Sequence, residues 1–326
     1  MDDIRWFAPN RFCTLVVPRL RDLGLAIALD GDRPARLAIA MDAQVAGAAY
    51  AYAARRRVPL IHYVWDLPPW RIGRGRPDWV WSLLGRYLQL PRLGRRYPER
   101  PRYYSRLRFV ATHARAVWVP SAATAASVRE HFAVSCRQVP FCYDSERFTL
   151  APGPGLDPAA RSASLLTVSR LTPQKNQRAV IAAAARFEPK LAVRIIGDGP
   201  ERGALERLAG DLEVPYAIER GLSGAEMVGA YRAAGVVVCP SRFEGFGLTP
   251  LEAIACGTPV VASDIPPHRE FLGTAPHYFA VDDTDSLVRA IGAARHSPPP
   301  PRAVLRDLTI EAAAQRFLAG VTPHLG

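Results

Sequence analysis

Short apolar runs and helical stretches alternate along this chain, stop at a Pro- and Gly-rich break, and then begin again. IRWFAP (4–9) reads as a strand, followed by a helical stretch to about Leu23. LAIAL (25–29) and RLAIAMDA (36–43) are strand-like, QVAGAAYAYAARRR (44–57) is helical, and PLIHYVWDL (59–67) is a buried strand running into a Pro-Pro turn. ARAVWVPS (114–121) is another strand, with Ser121 placed to cap a helix reaching about Phe132. Strands that are apolar throughout and joined by helical crossovers predict a parallel sheet covered on both faces.

The break is APGPGLDPAA (151–160), after which SLLTVSR (164–170), LAVRIIGDG, PYAIERG, GVVVCPS and PVVASD repeat the alternation. A chain of 326 residues exceeds what one core usually organises. The expected architecture is therefore α/β, with two doubly wound Rossmann-like domains, 1–150 and 161–300, facing a central cleft. HSPPPPR (296–302) is a second break, and EAAAQRFLAG (311–320) beyond it has no strand of its own to cover. Residues 309–326 are accordingly expected to pack back on the first domain. Ligands of such sheets bind at the carboxyl ends of the strands, which is where chemistry is sought.

Composition narrows the class. With 22% charged and 49% hydrophobic residues the chain is a globular one. Its longest apolar runs fall far short of the roughly 20 residues of a membrane-spanning helix. The acidic start MDDIRWFAP does not read as a secretory leader, and five cysteines without metal-ligand spacing suit a reducing compartment, so a cytoplasmic location is expected. Residues 55–115 hold 15 arginines against three acids, a net of +12 that equals the formal charge of the whole chain. One basic face, rather than a nucleic-acid-coating surface, follows. Within it Arg alternates with Trp, Tyr and Leu, and two readings stand: an element lying on an anionic membrane surface, peripheral at its inner face, or a solvated Arg-rich face.

The stretch SRFEGFGLTPLEAIACGTPVVASD (241–264) follows a strand directly. Thr249, Pro250 and Glu252 match an N-cap, a first helical position and a capping-box acid, with Gly257 closing the helix. Glu244 precedes the glycines, where no helix needs a cap. Gly245 and Gly247 allow close backbone approach, and the helix start offers N–H groups to an anion. Amides for phosphate beside a carboxylate for hydroxyls suit a sugar nucleotide, the plainer reading of Glu244 being a solvated loop acid. In LLTVSRLTPQKNQ, Arg170 ends a strand and Lys175 follows five residues later; they are either surface charges or a clamp for a diphosphate. Lys175 is one of two lysines among 40 arginines, which suggests a compact point charge. IIGDGPERG (195–203) places Gly197, Asp198, Gly199 and Gly203 after a strand, with Glu219 about 20 residues on, a partial dinucleotide fingerprint. His62 reads as a core histidine, and His268 as the better outside candidate for the cleft.

VSRLTPQKN, IIGDGPE, the run from LSGAEMVGAYRAAG to SDIPPHRE and, more loosely, YFAVDDTDSLVRAI resemble the nucleotide-binding domain of the retaining glycosyltransferases of family 4, which have the GT-B fold. The resemblance covers about 130 residues and is carried most specifically by two glutamates eight positions apart around GFG. It implies that Arg170 and Lys175 hold the donor diphosphate, and that Glu244 with the amides of Gly245, Phe246 and Gly247 holds the transferred sugar. Leu248 and Thr249 would supply amides to the phosphates, and Glu252 would hold the ribose. Gly197 and Asp198 fall in the donor-side glycine turn. Trp65 stands where many members have a histidine near the transferred sugar, leaving Asp66 beside it on the acceptor side. The implied activity is metal-independent transfer of a hexose from a UDP- or GDP-sugar to a glycan or lipid-linked acceptor, with no cofactor, and VDDTD (281–285) is not a metal site. Two other classes remain open: a nicotinamide-dependent oxidoreductase using the IIGDGPERG turn, which leaves EGFG unexplained, and a non-catalytic binding subunit of the same fold.

Overall fold

Strands β1 (Asp2–Phe7), β2 (Ile27–Ala28), β3 (Ala35–Ala40), β4 (Leu60–Tyr63), β5 (Ala116–Val119) and β6 (Arg137–Gln138) form one parallel sheet in the order β2-β1-β3-β4-β5-β6. They belong to a computed structural model that describes residues 1–7, 11–29, 31–41, 43–67, 100–150 and 164–326. The linker expected at 151–160 and most of the basic segment, residues 68–99, lie outside the described residues. The chain divides into unit 1, Met1–Phe141 with Ala313–Gly326, and unit 2, Cys142–Ala312.

In unit 1 the helices α1 (Arg11–Asp22), α2 (Ala43–Arg56), α3 (Arg100–His113) and α4 (Ala122–Phe132) cross over between strands. The run LAIAL contributes only the two-residue β2, paired to Ile4 and Arg5 at the sheet edge. α4 starts where the sequence predicts: the Ser121 hydroxyl accepts the Thr124 N–H at 3.1 Å, a cap that contributes about 1 kcal/mol. Alanines carry the packing of α2 on the sheet, with Ala46, Ala49 and Ala53 buried against Ala38, Ala40 and Leu60.

Unit 2 repeats the plan with a different strand order. β7 (Leu165–Val168), β8 (Val193–Ile196), β9 (Tyr216–Glu219), β10 (Val236–Cys239), β11 (Val260–Ser263) and β12 (His277–Phe279) lie in the order β12-β11-β10-β7-β8-β9, all parallel. The three-residue β12 runs from His277 into the start of YFAVDDTD and is too short to stand out as an apolar run. Helices α5 (Gln177–Ala184), α6 (Arg202–Asp211), α7 (Gly224–Ala233), α8 (Leu248–Ala255), α9 (Pro266–Leu272) and α10 (Thr284–Ala294) cover the faces. The core is aliphatic, built from Leu165, Ile195, Val236, Val238 and Val261 against Val180, Ile181, Leu205 and Ile291. A last helix, α11 (Ile310–Val321), belongs to unit 1 from Ala313 onward. Its Phe317 stacks on Trp6 with centroids 4.8 Å apart and meets Trp118 edge-on at 4.9 Å.

The crossovers from β7 run outward through β8 to β9, whereas those from β10 run the opposite way to β12. β7 and β10 are neighbours, so the loops leaving their carboxyl ends diverge there and open a crevice. Those two loops carry Arg170 and Lys175 on one side and Glu244 on the other.

Candidate active site

Two loops build the site. After β7 comes Arg170, exposed and, among the described residues, without a hydrogen bond or ion pair through its guanidinium. A 3-10 turn, Pro173–Lys175, then carries Lys175 into α5. After β10 the segment from Ser241 to Gly247 leads into α8. Lys175 Nζ donates to Glu244 Oε1 at 2.5 Å, joining residues 69 positions apart. Ser241 Oγ donates to the same oxygen at 2.6 Å. Both bonds fall on Oε1, and Oε2 accepts none among the described residues. The two side chains are 14% and 16% exposed, so the pair is largely withdrawn from water yet reaches the surface. Burial pushes the Glu244 carboxyl up, but Lys175, His268 and the bonds from Lys175 and Ser241 outweigh it and hold it below the ordinary value. Glu244 is therefore a carboxylate, with one oxygen engaged and one available.

The expected capping box of α8 does not form. The helix starts at Leu248, its N-cap is Gly247 with φ 97°, and no side chain caps it. Only glycine takes that left-handed turn cheaply, and it brings the chain into helix before Thr249 can act as a cap. Thr249 Oγ1 instead donates to the Val168 carbonyl at 3.0 Å, tying α8 to the end of β7. Glu252 is buried and accepts the Tyr231 hydroxyl at 2.8 Å. The amides of the first turn, Leu248 and Thr249 among them, thus receive no bond from a capping side chain. At the other end Gly257 closes the helix as expected: its N–H bonds Ile254 O at 3.0 Å and that of Thr258 bonds Ala253 O at 3.0 Å. Phe246 is buried, its ring 4.4 Å from that of Phe271, which anchors the loop between Gly245 and Gly247.

Behind the loop lies a buried relay. Ser263 Oγ donates to the Ser241 carbonyl at 2.6 Å, and His268 Nδ1 sits 2.9 Å from the Ser263 carbonyl, which makes it the protonated nitrogen. Burial lowers the His268 ring below its ordinary value while the Glu244 charge pulls it back up, so the two groups sense each other. A side chain at 247 would touch this ring: a Cβ there would lie 3.2 Å from His268 Cδ2. Ser241 and Tyr231 escaped the sequence reading. Ser241 was within reach of it, standing three residues before Glu244 in a turn; Tyr231 was not, since it arrives on α7.

The glycine turn has a packing explanation. A Cβ on Gly197 would come within 1.9 Å of the Ser169 carbonyl oxygen, so glycine is needed for the loop after β8 to pass the end of β7. Asp198 accepts from Arg220 at 3.0 Å and from the Gly199 N–H at 2.9 Å. Glu219 is gripped by Arg194 through bonds of 3.0 and 2.8 Å and is not poised for a ribose, which removes the acid that the nicotinamide reading requires. In VDDTD, Asp283 caps α10 through the Ser286 N–H at 2.9 Å, and Asp282 pairs with Arg242 at 2.7 Å. Among the described residues no three His, Cys, Asp or Glu side chains gather as a metal site would need, and none of the five cysteines is in a disulfide.

In unit 1, Trp65 and Asp66 lie just past β4. The Trp65 ring is 4.2 Å from that of Phe141 and its buried Nε1 has no hydrogen-bond partner among the described residues. His62 is fully buried in β4, both ring nitrogens lack partners among the described residues, and burial lowers it to about 4. It is a neutral core histidine.

Two doubly wound parallel sheets, one carrying a cation–carboxylate pair at its switch point, define a GT-B protein. Anabaena HepE, solved with UDP and glucose, superposes over 99% of this chain and 100% of its own with a TM-score of 0.71 at 15% identity. The pneumococcal O-GlcNAc transferase GtfA, solved with UDP and GlcNAc, does so over 94% and 59% with a TM-score of 0.63 at 18% identity. Identities this low speak for the fold alone. The sequence of the second half adds a family: residues 157–312 match the model of the glycosyl transferases group 1 family. A GDP-mannose-dependent alpha-(1-6)-phosphatidylinositol monomannoside mannosyltransferase of Mycolicibacterium smegmatis is 33% identical over 142 residues, 39% of this chain and 37% of the relative. A D-inositol 3-phosphate glycosyltransferase of Mycolicibacterium gilvum is 40% identical over 118 residues, 34% of this chain and 26% of the relative. The matched stretches thus span about a third of these curated relatives.

Proposed function

We propose that the protein is a retaining, family 4 type glycosyltransferase that moves a hexose from a UDP- or GDP-sugar to a glycan or lipid-linked acceptor. The observation that carries this reading is Glu244: one oxygen is shared by Lys175 and Ser241, the other accepts no hydrogen bond among the described residues, and the uncapped start of α8 follows within a few residues. Glu244 Oε2 and the amides of Gly245, Phe246 and Gly247 take the sugar hydroxyls. Arg170, Lys175 and the amides of Leu248 and Thr249 take the diphosphate, each charge-assisted bond contributing about 1.5–3 kcal/mol. Glu252, steadied by Tyr231, takes the ribose.

Transfer proceeds on one face of the sugar. The bond from the anomeric carbon to the phosphate oxygen breaks, the acceptor oxygen bonds to the same face, and the acceptor proton passes to the departing phosphate. Glu244 is a poor nucleophile for a double displacement because Lys175 neutralises the oxygen it shares. Two cations and a helix terminus supply the charge that a divalent metal would otherwise bring, so the reaction is metal-independent. The curated relatives act on inositol-containing acceptors, by their names, which favours a polyol or phospholipid headgroup as the acceptor class. The basic face supports a location at the cytoplasmic side of an anionic membrane: exposed Phe109 packs with Tyr50 and His113, flanked by exposed Arg55, Arg56, Arg57, Arg106 and Arg108. Among the described residues no helix is long and apolar enough to cross a membrane.

A panel of nucleotide sugars scored by release of UDP or GDP tests the activity. Glu244→Ala and Lys175→Ala should each lower the rate by about 100-fold or more, as loss of a group aimed at developing charge does, while circular dichroism stays native. Near-normal release by both variants would sink the assignment.

A further inference from the structure

The pair at the centre of the site is held by a second, outer pair that neither the motif nor the reaction accounts for. Arg242 stands two residues before Glu244, and all three nitrogens of its planar fork are engaged. Nε reaches Asp282 Oδ1 at 2.8 Å and Oδ2 at 3.1 Å, Nη2 reaches Oδ1 at 2.7 Å, and Nη1 donates to the Pro173 carbonyl at 2.7 Å. The backbone repeats the link: Arg242 N–H bonds Gln174 O at 2.9 Å, and Gln174 Nε2 bonds the Phe243 carbonyl at 2.9 Å. Asn176 Nδ2, one residue beyond Lys175, reaches Asp282 Oδ1 at 3.4 Å. Three loops, after β7, β10 and β12, are thereby joined at one guanidinium. Pro173 and Gln174 lie immediately before Lys175, and Phe243 immediately before Glu244.

This arrangement has no evident purpose in stability. Arg242 and Asp282 are 42% and 55% exposed, and exposed ion pairs contribute little. Asp282 also adopts φ 64° and Asn176 φ 55°, a left-handed backbone that Asn and Asp tolerate better than other non-glycine residues but at more cost than glycine. A switch point explains the need. The loops after β7 and β10 are sent to opposite faces of the sheet, so beyond the paired strand ends the strand pairing does not set where their side chains meet.

We propose that Arg242 and Asp282 are positioning residues that set the register of Lys175 against Glu244, and so the alignment of the diphosphate with the sugar. The proposal rests on the donor-site reading above. It makes the VDDTD segment part of the catalytic framework, and it identifies Arg242 as a site where lysine cannot replace arginine, because an ammonium cannot hold a carboxylate edge and a carbonyl in one plane.

The test uses the full chain with UDP-glucose and GDP-mannose as probes, following nucleoside diphosphate release. Arg242→Lys should lower kcat about tenfold with KM changed by less than about twofold, the signature of lost alignment rather than lost binding, and with the melting temperature within about 2 °C. Asp282→Gly should behave likewise. It removes the carboxylate while relieving the left-handed strain, so a purely structural role would leave its kcat unchanged and its melting temperature level or higher. The double variant should lose no more than either single one, since both remove the same contact. Variants within about twofold of wild-type kcat, or losses that multiply in the double variant, overturn the proposal while leaving the donor site intact. Wild-type protein that releases nucleotide from no sugar overturns the donor-site reading, and the clamp with it.

Discussion

Unit 1 and unit 2 are both six-stranded parallel sheets with helices on their faces, and both reverse their crossover direction once. In unit 1 the reversal falls between β1 and β3, giving the order 2-1-3-4-5-6; in unit 2 it falls between the first and fourth strands, giving 3-2-1-4-5-6. Their buried histidines mark the functional difference. His62 of unit 1 is lowered by burial alone and touches no polar partner among the described residues, whereas His268 of unit 2 is lowered by burial but raised by Glu244, and bonds into the serine relay behind the site. The cores differ too: unit 2 is aliphatic, while unit 1 gathers Trp6, Trp118, Tyr63, Phe141 and Phe317. One sheet architecture serves in unit 2 as a mount for charged loops and in unit 1 as an aromatic seat for the chain's last helix.

The largest effect that would break this contrast is removal of that seat. Phe317→Ala deletes a fully buried ring packed on Trp6 and Trp118 and should destabilise unit 1 by about 3–5 kcal/mol. Calorimetry with and without UDP should then show the transition that UDP does not raise moving down while the nucleotide-stabilised one holds. A uniform shift of both would mean that the two cores do not melt independently.

The histidines offer a second way to separate the units. His62 has a folded value of about 4 against an ordinary 6.5, so the unfolded chain takes up a proton that the native one refuses. Stability from this residue is complete above about pH 6.5 and is lost as pH falls through that value toward 4, by about 3 kcal/mol in all. His62→Leu should flatten the stability of wild-type protein across that window, measured as the difference between the two denaturation curves at each pH. Parallel curves would show that His62 is solvated in the native state.

Five of the six strands of unit 2 were legible because each is a short run bounded by turn residues, as in GVVVCP, whereas β12 was not, and Ser121 announced α4 because serine before an alanine run has few other uses. The start of α8 was not legible. Thr249 and Pro250 carry the local marks of a cap and a first helical position, yet the conformation of Gly247 and the pull of the Val168 carbonyl on Thr249 decide the matter from outside the window. Arg170, Lys175 and Glu244 could be singled out by residue type and place, but not the partners that orient them. Tyr231 reaches Glu252 from 21 residues away and Asp282 reaches Arg242 from 40, and such pairings exist only once the sheet has set the strand order.

The smallest effect sharpens the comparison at the residue where local and tertiary demands meet. At Gly247 the backbone has φ 97° and ψ 80°, so alanine would be strained by about 1–2 kcal/mol from the left-handed conformation. Its Cβ would also press on His268 at 3.2 and 3.3 Å, against a ring that Ser263 holds in place. Relaxation is then easiest by rotating the first turn of α8, which turns the Leu248 and Thr249 amides away from the crevice. Gly247→Ala should lower the melting temperature of unit 2 by a few degrees and weaken UDP binding, read as a smaller ligand-induced rise in melting temperature. Phe317→Ala, by contrast, should leave that rise unchanged. If Gly247→Ala destabilises the unit yet keeps the full rise, the helix terminus is not where the diphosphate binds, and Arg170 with Lys175 must hold it alone.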